Sequence, residues 1–282
     1  MADRFAERLP RPLRRVLARA RPDVPPLTRP GRSARFRTAS HNRFWWHRLR
    51  STDYVPPLYA GLSRREWAVV QGWFAQTGRH GRMVAEINVP AMSVVTALVA
   101  GNGIRRVVQL GHHYGYSALL LGFTLRAMGA RPGLFTIDID PAACEFTRRW
   151  LAHAGLCDHV VVREGDSADP RLADDAAAVL GGPPEVVLVD SSHAYSHTLA
   201  ELDLWTPRLP VGGLVLLHDA SEFATAFDPT AEGGVRRAIA EWLPDHPAMA
   251  GLTLNGHVAA GADGDALIYK DACGLGVLQR MR

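Results

Sequence analysis

From residue 105 onward, apolar runs of strand length alternate with stretches of helical periodicity, a rhythm that few folds accommodate. Strands are expected over 105–110, 134–139, 159–163, 185–190 and 212–218, with helices over 116–129, 141–155, 169–180 and 195–207 between them. Strands separated by helices imply a parallel sheet joined by right-handed crossovers. Asp140-Pro141 supplies an N-cap and an N1 proline for the second of these helices. After a further helix at about 232–243, the stretches 251–257 and 265–270 read as strands. The short glycine-containing connection 258–264 pairs them as an antiparallel hairpin.

Three regions follow: an Arg/Pro-rich arm over 1–55, a helical lid or cap over 56–103, and the α/β domain over 104–282. Residues 1–50 hold 14 arginines against three acids, about +11, which leaves about −7 for the remainder of a chain whose net charge is +4. Lys270 is the only lysine, so the arginine excess reads first as a GC-rich genome. Prolines at 10, 12, 22, 25, 26 and 30 confine any helix in the arm to about 9–21. Its aromatic cluster Phe44, Trp45, Trp46 suits docking onto an apolar surface and leaves homodimerisation open. Ser63-Arg-Arg-Glu66 is a capping box opening a helix with Trp67, Val70, Trp73 and Phe74 on one stripe, and 90–101 reads as another helix. Cys144, Cys157 and Cys273 are odd in number and widely spaced, which fits a reducing compartment. No apolar run reaches the roughly 18 residues of a bilayer span, and no secretory signal is evident. A cytoplasmic location and no membrane partner are expected.

The first strand runs into Gly111-His-His-Tyr-Gly115-Tyr-Ser117, and the second ends in Asp138-Ile-Asp140-Pro141. A glycine turn lets backbone approach a ligand, and an acid after the next strand accepts ribose hydroxyls. Together they mark an adenosine-type cofactor on an open α/β sheet. The turn lacks the tighter Gly-x-Gly-x-x-Gly of a dehydrogenase.

With Gly115-Tyr-Ser-Ala118 and Ile137-Asp138-Ile-Asp140-Pro141, the chain resembles class I S-adenosylmethionine-dependent methyltransferases over roughly residues 85 to 270. Within them it is similar to the catechol O-methyltransferase-like and the cephalosporin-hydroxylase- and macrocin-type small-molecule O-methyltransferases. The resemblance implies a Rossmann-like seven-stranded, mostly parallel sheet with the C-terminal hairpin, behind an N-terminal helical and irregular extension. It implies Gly111 and Gly115 beneath the methionine part of S-adenosyl-L-methionine, Ser117 on its carboxylate, Asp138 on the ribose, and Gly165-Asp166-Ser167 along the adenine. Gln109 stands where those families often carry a glutamate, which bears on the amino-group contact, and Asp190 borders the same cofactor site.

The resemblance further implies a divalent cation, Mg²⁺ in those families, on Asp190 and Asp219 at the ends of the fourth and fifth strands. Their usual third ligand, an acid or amide beside Asp219, is absent, since its neighbours are His218 and Ala220. Magnesium completed by water or Glu222, a softer metal using His218, and no metal all stay open. His193 lies three residues after Asp190, where catechol-type enzymes carry a proton-accepting lysine, and an imidazole suits that task. Capping the helix near 195 is the structural alternative. His197, one turn on, fits a supporting role. Asp190 and His193 are thus the catalytic pair expected.

The reading that follows is O-methylation of a small hydroxylated molecule, such as a natural-product sugar or polyketide. The Asn/Asp-Pro-Pro-aromatic tetrapeptide of many nucleobase amino-methylating enzymes is missing, and Gly182-Pro-Pro-Glu185 is not that motif. No nucleic-acid partner is expected. The alternatives are an RNA methyltransferase using the arm to hold phosphates, and a cofactor-binding relative that methylates nothing.

Overall fold

The computed structural model describes residues 55–77, 86–259 and 267–282. But for Val55, the expected arm lies outside the described residues. The chain enters through α1 (Pro57–Ala60), α2 (Arg64–Thr77) and α3 (Val89–Gly101). The capping box forms as read: the Ser63 amide donates to Glu66 Oε2 at 2.7 Å and the Glu66 amide to Ser63 Oγ at 3.3 Å. Trp67, Val70, Trp73 and Phe74 are buried, which fixes α2 to the body. The Trp73 indole donates to the Tyr114 carbonyl at 2.7 Å, tying α2 to the glycine turn. Asn88 caps α3 by accepting from the Ala91 amide at 3.0 Å.

Among the described residues seven strands follow: β1 (Val107–Leu110), β2 (Leu134–Asp138), β3 (Val160–Glu164), β4 (Val186–Val189), β5 (Leu214–His218), β6 (Met249–Leu254) and β7 (Leu275–Arg280). Five helices intervene: α4 (Tyr116–Ala127), α5 (Pro141–Ala154), α6 (Pro170–Leu180), α7 (Tyr195–Trp205) and α8 (Gly234–Trp242). The sheet order is β3-β2-β1-β4-β5-β7-β6, with β1 to β5 parallel and β7 antiparallel to both neighbours. The period of two along each strand divides the core. Val107, Leu134, Val186, Leu188, Leu214 and Leu216 join one apolar cluster with α2 to α5. Val108, Phe135, Val187, Val189, Val215 and Leu217 join the other with α6 to α8. The strands are therefore apolar on both faces, as parallel strands between helical layers must be. No helix among the described residues is long and apolar enough to cross a membrane.

The hairpin is present, but its strands are not where the sequence placed them. The first is Met249–Leu254 rather than 251–257, and the second is Leu275–Arg280 rather than 265–270. Residues 267–270 form no strand. Ile268 is exposed, while Asp271 just beyond is fully buried. Burying that carboxylate turns the backbone away from the pairing that local propensity favours, and the strand begins only after Gly274 at φ +80°.

Candidate active site

Chain reversal at the sheet centre builds the site. β1 connects toward β2 on one side while β4 lies on the other, so their C-terminal ends open a crevice. Gly111, at φ +79°, packs against β4's exit: a Cβ there would lie 2.0 Å from the Asp190 carbonyl oxygen. Gly115, at φ +81°, is equally confined, with Thr147 side-chain atoms 2.7 Å from where its Cβ would sit. Between them the amides of His112 and His113 both donate to Asp138 Oδ2, at 3.0 and 2.7 Å. Asp138 Oδ1 accepts from the Asp140 amide at 3.0 Å. Asp138 is thus a clamp on the turn as well as a cleft residue, a role the sequence reading did not assign.

His112 turns inward, with Nε2 3.5 Å from Cys144 Sγ and Nδ1 3.2 Å from Thr147 Oγ1. Burial lowers its pKa and raises that of Cys144 to about 11, so both are neutral packing groups. Both His112 and His113 border the cleft. Gln109 lies beneath the turn and is not among the cleft-lining residues. Its Nε2 donates to the Gly111 carbonyl at 3.0 Å and to Ser117 Oγ at 2.5 Å, while its buried Oε1 has no partner.

The cleft measures about 520 Å³ and is lined by Gly111, Ser117, Asp138, Asp166, Ser167, Asp190 and His193, among others. That size suits a cofactor or small-molecule site. Ile139, 74% exposed, also lines it and presents apolar surface for a flat ring. A turn with no room for a Cβ, a hydroxyl at the N-terminus of α4 and a carboxylate at the end of β2 fit an S-adenosylmethionine-type ligand.

Where β3 exits into the cleft, Ser167 Oγ donates to Glu201 Oε1 at 2.5 Å and lies 3.0 Å from His197 Nε2. Ser191 Oγ donates to Glu201 Oε2 at 2.9 Å. Fully buried Glu201 therefore ties the loops after β3 and β4 to α7. Its hydrogen bond raises the His197 pKa more than partial burial lowers it. The i,i+4 spacing of His197 and Glu201 was the available signal for this pair.

At the end of the cleft, β4 and β5 deliver a second cluster. His193 Nε2 lies 3.0 Å from Asp219 Oδ2. His218 Nδ1 lies 3.2 Å from both Asp190 Oδ1 and Asp219 Oδ2. His193 and Asp219 adopt left-handed backbone at φ 60° and 58°, as does His113 at 45°. Such conformations cost about 1–3 kcal/mol each and gather where function needs a side chain re-aimed. Burial alone would raise the Asp219 carboxyl, but His218 and His193 outweigh it and hold the group far below the usual carboxylate range. Burial would likewise lower both histidines, and Asp219 with Asp190 outweighs it in each case.

The donor atoms of Asp190, His193 and Asp219 lie within 4.8 Å of one another, as do those of His218, Asp219 and Cys273. This mixed oxygen and nitrogen set fits a divalent cation. Ala220 is buried and offers no donor where the resembled families place their third ligand. The Glu222 amide donates to the Gly256 carbonyl at 3.0 Å, and its side chain belongs to neither donor group. Phe227, 43% exposed, lies 6.3 Å from the His193 ring between centroids. Neither Phe227 nor Asp271, which faces His218, carried any motif signal.

Residues 108–220 match a family model described as a methyltransferase domain. Over 88 residues the chain is 36% identical to ribosomal RNA small subunit methyltransferase C of Stutzerimonas stutzeri (strain A1501), covering 31% of this chain and 26% of that protein. Over 117 residues it is 26% identical to the rhamnosyl O-methyltransferase of Mycobacterium tuberculosis (strain ATCC 25618 / H37Rv), covering 41% of this chain and 45% of that protein. The chain thus spans less than half the length of these curated relatives. Its fold is similar to that of the O-methyltransferase from Bacillus cereus in complex with SAH, at a TM-score of 0.58, 18% identity, and coverage of 76% of this chain and 90% of that one. It is similar at TM-score 0.57 and 18% identity, with the same coverages, to TomG of Streptomyces achromogenes, an O-methyltransferase involved in tomaymycin synthesis and solved with SAM. Sequence match and strand order converge: residues 108–220 match a methyltransferase domain, and the sheet around them has the Rossmann-like methyltransferase fold.

Proposed function

We propose that this chain transfers the methyl group of S-adenosylmethionine to a hydroxyl oxygen of a small hydroxylated molecule, a natural-product sugar or polyketide being the model acceptor. The observation that carries the reading is the His193–Asp219 pair, 3.0 Å apart, beside Asp190 at the end of the cofactor-type cleft. S-adenosylmethionine would supply a methyl group already activated on a sulfonium, and a divalent cation held by Asp190, Asp219 and His218 would supply Lewis acidity toward the acceptor oxygen.

The chain's residues do the rest. Gly111, Gly115 and Ser117 seat the amino-acid end of the cofactor, Asp138 its ribose, and Ile139 with Asp166 and Ser167 its base. Asp219 accepts the Nε2–H of His193 and fixes its tautomer, which leaves the Nδ1 lone pair to take the acceptor's hydroxyl proton. Phe227 offers an apolar wall to the acceptor's carbon skeleton. Holding both partners in line is worth about 7–11 kcal/mol. Base removal should cost roughly 10²–10⁴-fold in turnover.

The test has two arms. S-adenosylhomocysteine should raise the melting temperature while NAD leaves it unchanged; no shift removes the cofactor assignment. Labelled methyl transfer should then be screened against a panel of glycosides and phenols. With an acceptor found, His193→Gln should lose at least 100-fold in kcat, and near-wild-type turnover removes the base.

A second reading, transfer to RNA, draws on the 36% identity to the ribosomal RNA enzyme and on the 14 arginines of residues 1–50. It requires RNA retention that falls steeply with salt and is lost with the arm.

A further inference from the structure

His218 is held from both sides. Its Nδ1 faces Asp190 Oδ1 and Asp219 Oδ2, each at 3.2 Å. Its Nε2, buried and without a hydrogen bond inside 3.5 Å, faces Asp271 Oδ2 at 3.6 Å, itself buried and unbonded. Asp271 is fully buried, and its other oxygen is committed. Oδ1 accepts from Asn88 Nδ2 at 2.6 Å and from the Cys273 amide at 3.0 Å. Asn88 in turn is the N-cap of α3, so the carboxylate is anchored to a helix 183 residues away in sequence.

A buried carboxylate is costly unless something answers its charge, and here the facing group is an imidazole edge. Nδ1 is the hydrogen-bonded nitrogen here, facing Asp190 Oδ1; a cation seated between Asp190 and Asp219 would displace a proton from Nδ1, and Asp271 is then the acceptor that holds the remaining proton on Nε2. That is the usual surrounding of a metal-ligating histidine, whose second nitrogen donates to a carboxylate that sets tautomer and orientation.

We propose that Asp271 is a positioning residue which, by accepting the Nε2–H of His218, makes Nδ1 a nitrogen donor and gives the Asp190–Asp219–His218 cluster a preference for a transition divalent ion over Mg²⁺. This rests on the cation assigned to those residues above. An imidazole in place of an oxygen donor favours ions such as Mn²⁺, Co²⁺ and Zn²⁺, whereas Mg²⁺ demands oxygen ligands in a near-ideal octahedron. Asn88 and Asp271 thereby connect α3, the loop before β7 and the chemistry at β5 into one support.

Co²⁺ is the probe, titrated into the full, metal-stripped chain and followed by calorimetry and by its visible absorption. Wild type should bind Co²⁺ at least tenfold more tightly than Mg²⁺, with a spectrum that shows nitrogen ligation. Asp271→Asn keeps the shape and should lose 10–100-fold in Co²⁺ affinity. Equal affinity of wild type for the two ions, or an Asp271→Asn variant that binds Co²⁺ as wild type does, overturns the proposal. Should that variant not fold, ¹⁵N-detected histidine spectra of wild type with Zn²⁺ replace it: His218 must carry its proton on Nε2, and a proton on Nδ1 overturns the proposal. The S-adenosylhomocysteine melting shift is read on the same samples. Its absence removes the methyltransferase reading while leaving the metal result to stand or fall alone.

Discussion

His197 and Glu201 show how a single residue pair links the cleft to stability. The Glu201 carboxylate is fully buried, and the imidazole nitrogen lies 3.3 Å from its Oε1. The His197 pKa is raised, chiefly by this hydrogen bond. A raised histidine stabilises the fold fully below its unfolded value of about 6.5 and loses that contribution as pH climbs through the folded value. His197→Gln should therefore cost on the order of 1 kcal/mol at pH 5.5, a figure kept low because the ring is partly solvated, and close to nothing at pH 9. Urea titrations of both proteins at the two pH values check this. An equal cost at both would mean that the ring contributes shape and not charge. His193 and His218 face carboxylates as well, so the three imidazoles differ in what surrounds them rather than in residue type. Sequence could name all three but could not assign their partners.

Among elements, the turn between β1 and α4 is the most constrained. Gly111 and Gly115 both adopt left-handed backbone, yet their surroundings differ in kind. The obstacle at Gly111 is the Asp190 carbonyl, which belongs to β4's exit and cannot yield without moving a strand end. The obstacle at Gly115 is the Thr147 side chain, which can rotate. Gly111→Ala should thus cost upwards of about 3 kcal/mol and abolish S-adenosylhomocysteine binding. Gly115→Ala should cost about 1–2 kcal/mol and weaken binding less. Denaturation midpoints and ligand melting shifts measure both; the reverse order would show that the turn is not seated on β4. This turn was legible beforehand because glycine spacing after an apolar strand is a local signal, as were the parallel strands and the Ser63–Glu66 cap. The second hairpin strand was not, since residues 265–270 carry the local apolar pattern while the burial of Asp271 and pairing with β5 decide the outcome. The same distance in sequence hid Asp271 from the site: its partners are His218 and Asn88, and no spacing rule connects them.

At the scale of the whole molecule, strand order in sequence is not strand order in space. β7 lies between β5 and β6, with Leu275 paired to His218 and Leu278 to Val215. On this side the strand that brings His218 and Asp219 to the site is paired only by residues 275–279 among the described residues. Leu278 is fully buried in the cluster that holds Val215, Leu217, Ile239 and Trp242. Leu278→Ala should cost about 2–5 kcal/mol. For a chain of this size that lowers the melting temperature by roughly 2–4 °C per kcal/mol. Deleting residues 275–282 goes further, because it opens β5 as an edge and leaves β6 with no partner among the described strands. The shortened chain should lose its cooperative thermal transition and bind a hydrophobic dye at room temperature. Calorimetry decides the matter: a sharp transition in the shortened chain would mean that β1 to β5 with their helices fold without closure, and that β7 serves only to hold the site's edge in place.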